Sequence, residues 1–171
     1  MSIESAEKQI FSGLILLTGE DKPGLANSLF EALSPFAVSI IDIDQIVINE
    51  RVILTIQIAL NQAHQAAIED DLSLLSERLG IDIACVFGES ALPAAMIHDV
   101  KLTMSAPKML PRFLNSVTSA AFSAGGNILR FNRISSTPMV IELDISGVSA
   151  TTLQEAISDL QPEPELKISL S

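Results

Sequence analysis

The sequence predicts an α+β chain made of two consecutive β-α-β-β-α-β units of about 80 residues, each an antiparallel sheet with its helices on one face. Three observations carry that reading. The same order of apolar periodicities runs twice, through residues 1–90 and again through 91–171. Landmarks recur about 88 residues apart: Ser39-Ile40-Ile41 aligns with Asn127-Ile128-Leu129, Ile46 with Ile134, and Pro23 with Pro111. Charge changes between the two stretches as well. Residues 1–90 hold four basic and fourteen acidic side chains, whereas 91–171 hold six and seven.

In the first unit, Leu14 to Thr18 is a short apolar run stopped by Gly19-Glu20-Asp21-Lys22-Pro23-Gly24, a strand followed by a turn. Leu25, Leu29 and Leu33, with Ala26 and Phe30, then recur at helical spacing until Pro35. Val38 to Ile48 is rich in β-branched residues and alternates. Period two places Ile41, Ile43 and Val47 on one face and Ile40, Asp42, Asp44 and Ile46 on the other. Asn49-Glu50 turns the chain into a strand carrying Val52, Leu54, Ile56, Ile58 and Leu60. A second helix shows Ile68, Leu72, Leu75 and Leu79 on one face, with Gly80 placed to end it. Ile81 to Phe87 is the closing strand, and Gly88 to Ala95 reads as a linker.

The second unit repeats the order. Lys101 to Ser105 is a strand, and Phe113, Val117, Ala120, Ala121 and Ala124 form a helical stripe ended by Gly125-Gly126. Asn127 to Ser135 and Met139 to Ser146 form a hairpin across Ser136-Thr137-Pro138. Thr152-Leu153-Gln154-Glu155 has the spacing of a capping box for the next helix, whose face is Leu153, Ile157 and Leu160. Leu166 to Leu170 is the last strand. This split-βαβ arrangement is the ferredoxin-like topology.

Composition narrows the functions. The formal net charge is −11 and the chain has no tryptophan or tyrosine, so it repels phosphate backbones and lacks the best base-stacking side chains. Nucleic acid is therefore not an expected partner. One cysteine, Cys85, makes neither an internal disulfide nor a multi-cysteine metal site, which suits a reducing compartment. Apolar runs fall short of the roughly 18 residues that span a bilayer, and Glu4 and Glu7 spoil a secretory leader. The expectation is a cytoplasmic chain with no membrane partner.

Few side chains are arranged for chemistry. The turn Asp21-Lys22-Pro23-Gly24-Leu25 opens the first helix, where backbone N–H groups suit a carboxylate or phosphate and Asp21 suits an ammonium. A plain N-terminal cap is the simpler role for the same residues. Asp42-x-Asp44 has the spacing of the nucleophile motif of haloacid-dehalogenase-type phosphatases, yet it lies in a hairpin strand and no Gly-Asp dipeptide follows. Arg130 and Arg133 occupy the positions of Asp42 and Gln45 in the second unit, so a basic strand there mirrors an acidic one in the first. His64 and His98 fall in different units without triad or ligand spacing. No catalytic residue, metal site or cofactor site is expected. The residues alone indicate a binding or regulatory module.

A strand followed by Asp21-Lys22-Pro23-Gly24-Leu25 inside βαββαβ resembles the ACT domain, a small-molecule sensing module. Thr18 to Gly24, Leu29 to Ser34 and Gln45 to Ile48 resemble the N-terminal half of bacterial phosphoserine phosphatases with paired ACT domains. The resemblance implies an amino-acid-binding regulatory pair, with serine or glycine as ligand and a homodimer as the working form. Its ligand-site residues would be Asp21, Lys22, Pro23, Gly24 and Leu25, joined by Asp42, Asp44 and Asn127. Mg²⁺ is implied only for a phosphatase domain beyond Ser171. The second unit lacks the turn, since Ser105-Ala106-Pro107-Lys108 has no glycine after its proline. The alternative is a free-standing ACT doublet that regulates transcription through other proteins, as in glycine-cleavage regulators.

Overall fold

The computed structural model describes residues 9–91 and 98–171. The chain divides into two compact units, Met1–Pro93 and Ala94–Ser171. Unit 1 contains β1 (Gln9–Glu20), α1 (Leu25–Leu33), β2 (Ser39–Ile48), β3 (Arg51–Ala59), a 3₁₀ turn (Gln62–His64), α2 (Gln65–Leu79) and β4 (Asp82–Ala91). Unit 2 contains β5 (Val100–Ala106), α3 (Pro111–Ser123), β6 (Asn127–Ser136), β7 (Met139–Ser146), α4 (Ala150–Ser158) and β8 (Lys167–Leu170). The sheets run β2-β3-β1-β4 and β6-β7-β5-β8, antiparallel at every pairing with a described register. Both units are ferredoxin-like, in the element order that the sequence predicts.

Each core lies between one sheet face and its two helices. In unit 1, Ile15, Leu17, Leu54, Ile56 and Ile58 meet Leu29, Ile68 and Leu72, all nearly inaccessible. In unit 2, Leu102, Met104, Leu143 and Ile145 meet Phe113, Val117 and Leu153. The helix stripes form because residues three and four apart share a face. At the end of α2 the chain reverses through Gly80 at φ 63°, where its N–H bonds the Ser76 carbonyl. A Cβ at Gly80 meets nothing within 4 Å, so any penalty is purely conformational. Gly80→Ala should therefore lower the stability of unit 1 by about 1–2 kcal/mol, measured by urea denaturation.

Several local expectations change. β1 is much longer than Leu14–Thr18, because it is a central strand paired on both sides out to Glu20↔Arg51 and Gln9↔Ala91. Gly19 continues the strand rather than stopping it: a Cβ there would lie 2.7 Å from Ile81 Cγ2, so only glycine fits. β4 likewise runs on to Ala91, and Ser12 and Ser90 join the two strands at 2.8 Å. Gly88–Ala91 are thus strand and not linker, and the rest of the expected linker, 92–95, lies outside the described residues. The expected capping box also moves upstream. Ser149 caps α4 by accepting from the Thr152 N–H, because the helix begins at Ala150.

The face assignment of β2 is corrected at one residue. A bulge at Ile41 lies between the pairs Ile40↔Ile58 and Asp42↔Gln57. It swings Ile40 onto the helix-facing side with Ile43, Gln45 and Val47, while Asp42, Asp44 and Ile46 share the open face. An equivalent bulge interrupts β6 between Ile128 and Arg130, about 88 residues on, so the duplication extends to an irregularity of the backbone. The open faces differ in chemistry. Unit 1 shows Leu14, Leu16, Ile46, Ile53 and Val86, all exposed. Unit 2 places Lys101, Thr103, Glu142 and Asp144 on its central strands there.

Among the described residues, no helix is long and apolar enough to cross a membrane.

Candidate functional site

The β1–α1 turn is built by backbone geometry. Gly24 takes φ 92° and ψ −3°, a left-handed conformation that costs L-residues roughly 1–2 kcal/mol. From that kink α1 starts at Leu25, whose buried side chain anchors the first turn in the core. No side chain caps the helix, and its first internal bond is Ser28 N–H to the Gly24 carbonyl at 2.9 Å. The capping role considered for Asp21 is therefore not taken. Instead, the Asp21 N–H donates to the Glu50 carbonyl at 2.8 Å, tying the turn to the β2–β3 hairpin. Lys22 leans back onto Glu20 at 3.0 Å, both side chains well exposed.

These residues form one wall of an open recess of about 300 Å³, lined by Asp21, Lys22, Pro23, Gly24, Leu25, Ala26, Gln45 and Val52. The N–H groups of the first helical turn lie at its mouth with the positive end of the helix dipole. A carboxylate side chain, a basic side chain, an amide and a patch of apolar wall are thus held within one cavity. That set matches the parts of a small amino acid: main-chain charges of both signs and a short side chain.

Five of the eight candidate residues converge there. Asp42 and Asp44 do not. They lie on the opposite sheet face, across from Gln57 and Thr55, beside a separate recess of about 80 Å³. Asp42 Oδ1 accepts from the Ile43 N–H at 2.8 Å. Both aspartates also belong to an antiparallel edge strand, which does not offer the strand-end position a phosphatase nucleophile occupies. Asn127 opens β6 in unit 2, opposite Ser146. In that unit α3 begins with Pro111 after Leu110 in extended geometry, so the left-handed glycine turn is not repeated.

Gln45 is the residue the sequence reading missed as a site member. Its signal was present: it is the one amide among Ile40, Ile43 and Val47 on the helix-facing side of β2. Neither His64 nor Cys85 is among the residues that line the recess. His64 packs its ring against Phe36 with centroids 6.0 Å apart. The Cys85 thiol is pushed above its ordinary pKa by burial first and by Glu69 second, which disfavours the thiolate form.

Residues 13–86, spanning β1 through most of β4, match the ACT domain. The chain is 35% identical over 75 residues to Phosphoserine phosphatase SerB2 of Mycobacterium tuberculosis, covering 43% of this chain and 18% of that protein. It is 25% identical over 152 residues to a phosphoserine phosphatase of Streptomyces coelicolor, covering 85% and 36%. The chain therefore spans less than two fifths of either relative. Among solved structures, a protein described as a glycine cleavage system transcriptional repressor aligns with TM-score 0.69 and 17% identity over 94% of this chain and 96% of that one. An unknown protein from Galdieria sulphuraria aligns with TM-score 0.68 and 15% identity over 95% and 98%. Both share the two-unit fold along nearly their whole length. Residues 13–86 of the first unit thus match the ACT domain, and the chain as a whole shares the two-unit ferredoxin-like fold of these solved structures.

Proposed function

We propose that this pair senses serine or a closely related small amino acid, as the regulatory part of a phosphoserine phosphatase of serine biosynthesis working in the cytoplasm as a homodimer. The observation that carries the reading is the uncapped start of α1, opened by left-handed Gly24 onto the recess that Asp21 and Gln45 line. The ligand carboxylate accepts from the helix N–H groups, its ammonium donates to Asp21, and Gln45 meets the side-chain hydroxyl. Binding shifts an attached catalytic domain only as far as the ligand prefers one arrangement of the protein over another. That domain, and not this pair, would supply the Mg²⁺ chemistry. Similarity to two phosphoserine phosphatases supports the assignment of the enzyme.

Isothermal calorimetry with L-serine, glycine and O-phospho-L-serine tests the reading. Saturable heat with at least one is the expected result, weakened about tenfold or more by Gly24→Ala. That alanine has open space for its Cβ and acts only by straining the turn that aims the N–H groups. Absence of heat from all three would overturn the reading. A second reading is a doublet that acts on other proteins, favoured by the full-length structural match to the two-unit repressor. The reading frame beyond Ser171 separates the two, since a following haloacid-dehalogenase-type domain selects the first.

A further inference from the structure

A ferredoxin-like unit covers one sheet face with helices and leaves the other to solvent, where polar residues are expected. Unit 2 follows that rule, with Lys101, Thr103, Glu142 and Asp144 on its central strands. Unit 1 departs from it. Val86, Leu14, Leu16, Ile53, Ile46 and Ile48 share its open face, each between 38% and 71% exposed.

Strand register joins these side chains into a band. Val86 faces Leu14 across β4 and β1, and Ile53 faces Ile46 across β3 and β2. Leu16 follows Leu14 and Ile48 follows Ile46 at a spacing of two, so each pair keeps to one face. The band therefore crosses all four strands diagonally, from the β4 edge to the β2 edge. With about 4.8 Å between strands and about 3.4 Å per residue along them, it is about 25 Å long. Six such side chains present on the order of 500 Å², the size at which a surface patch is commonly functional.

Carboxylates flank the band on both sides. Asp42 stands at one corner, opposite Gln57 and beside Asp44. Asp82 stands at the other, opposite Thr18. At the Ile48 end Arg51 lies across from Glu20, so that pair adds no net charge. Asp42 and Asp82 matter here as charge, which the Ile43 N–H that Asp42 already accepts does not remove. This arrangement selects among occupants. A second copy laid face to face would set carboxylate over carboxylate, and the band is smaller than the roughly 800 Å² per partner of a standard interface. An added strand would pair at a sheet edge and not across a face. An anionic membrane meets the same repulsion. An α-helix of about 16 residues has the length of the band. Its apolar stripe would cover the diagonal, and basic side chains on either side of the stripe would reach the acidic corners.

We propose that the open face of unit 1 docks a basic amphipathic helix of another protein, its apolar stripe along the Val86–Ile48 diagonal and its cations over Asp42 on one side and Asp82 on the other. The face lies on the far side of the sheet from the Asp21–Gly24 recess, so the two readings stand or fall separately.

Titration of the ¹⁵N-labelled full chain with a designed helical peptide of about 16 residues, leucine on one face and lysine on both flanks, tests the proposal by NMR. The same peptide with glutamate for lysine and vesicles of phosphatidylcholine are the comparisons. Saturable shifts are expected at Leu14, Leu16, Ile53 and Val86, with the glutamate peptide about tenfold weaker or worse and no response to vesicles. Leu14→Ser should weaken the lysine peptide about tenfold, and Asp42→Asn combined with Asp82→Asn about threefold, whereas Asp21→Ala should change nothing. The wild-type titration does not depend on the folding of any variant. No saturable shift, equal binding of the glutamate peptide, or shifts confined to the helices or to unit 2 would each overturn the proposal. So would shifts at these four residues on diluting the chain alone, which would assign the face to a second copy, or on adding vesicles, which would assign it to a membrane.

Discussion

Phe113→Ala will remove about 3–5 kcal/mol from unit 2, the usual cost of emptying a buried phenylalanine site. Phe113 is wholly inaccessible and packs in a core with Leu102, Met104, Val117, Leu143 and Ile145. Because α3 is pinned at its start by Pro111 and at its end by the Gly126 N–H bonded to the Ala121 carbonyl, it has little freedom to collapse into the space. Whole domains hold only about 5–15 kcal/mol, and one of this size sits toward the lower end. The variant therefore brings unit 2 close to its unfolding midpoint. Each unit has a core of its own, so unit 1 should retain its own stability. The chain has neither tryptophan nor tyrosine, so intrinsic fluorescence is of little use. Urea denaturation read by amide NMR resolves the units. Early loss of dispersion at Leu102 and Val117, with Ile15 and Leu29 unchanged, is the expected pattern. A single transition shifted equally for all four residues would show that the cores do not act separately.

Asp21→Ala should lower L-serine affinity by about 10- to 150-fold. The range follows from about 1.5–3 kcal/mol for a hydrogen bond between charged groups, with each 1.4 kcal/mol worth a factor of ten. The fold should be nearly unaffected. The Asp21 side chain is exposed, and the bond that ties the turn to the hairpin comes from its backbone N–H, which alanine keeps. Lys22→Ala is the matched control: its ammonium already pairs with Glu20 in solvent, a surface contact of small value. Calorimetry on the two variants should show loss in the first and little change in the second. Equal loss in both would assign the effect to the net charge of the turn and not to Asp21 as an ammonium partner.

The fold was legible because its signals are local. Leu25, Leu29 and Leu33, or Phe113, Val117 and Ala121, repeat at helical spacing whatever surrounds them, and Gly80 and Gly125 mark helix ends by their left-handed geometry. What failed to show depends on partners distant in sequence. The ends of β1 and β4 are defined by each other's ladder, so polar Gln9, Ser12 and Ser90 gave no sign of being strand. The bulge at Ile41 depends on how β2 meets β3, and it moved Ile40 to the other face. The α4 cap went to Ser149 over Thr152, a choice made by where the backbone leaves β7. The same division runs through the site. Asp21 to Leu25 are contiguous and were found together, whereas Gln45 and Val52 enter only when the hairpin folds beside them. Asp42 and Asp44 looked like site residues by spacing, and the pleat carried them to the far face.

Whether the turn recess takes an amino acid is tested most directly by titrating the ¹⁵N-labelled chain with L-serine and reading the amides of Lys22, Gly24, Leu25, Ala26, Gln45 and Val52. The account predicts saturable shifts concentrated on those residues and lost in Asp21→Ala. A folded, well-dispersed spectrum in which those amides do not move at saturating L-serine, glycine or O-phospho-L-serine would contradict it.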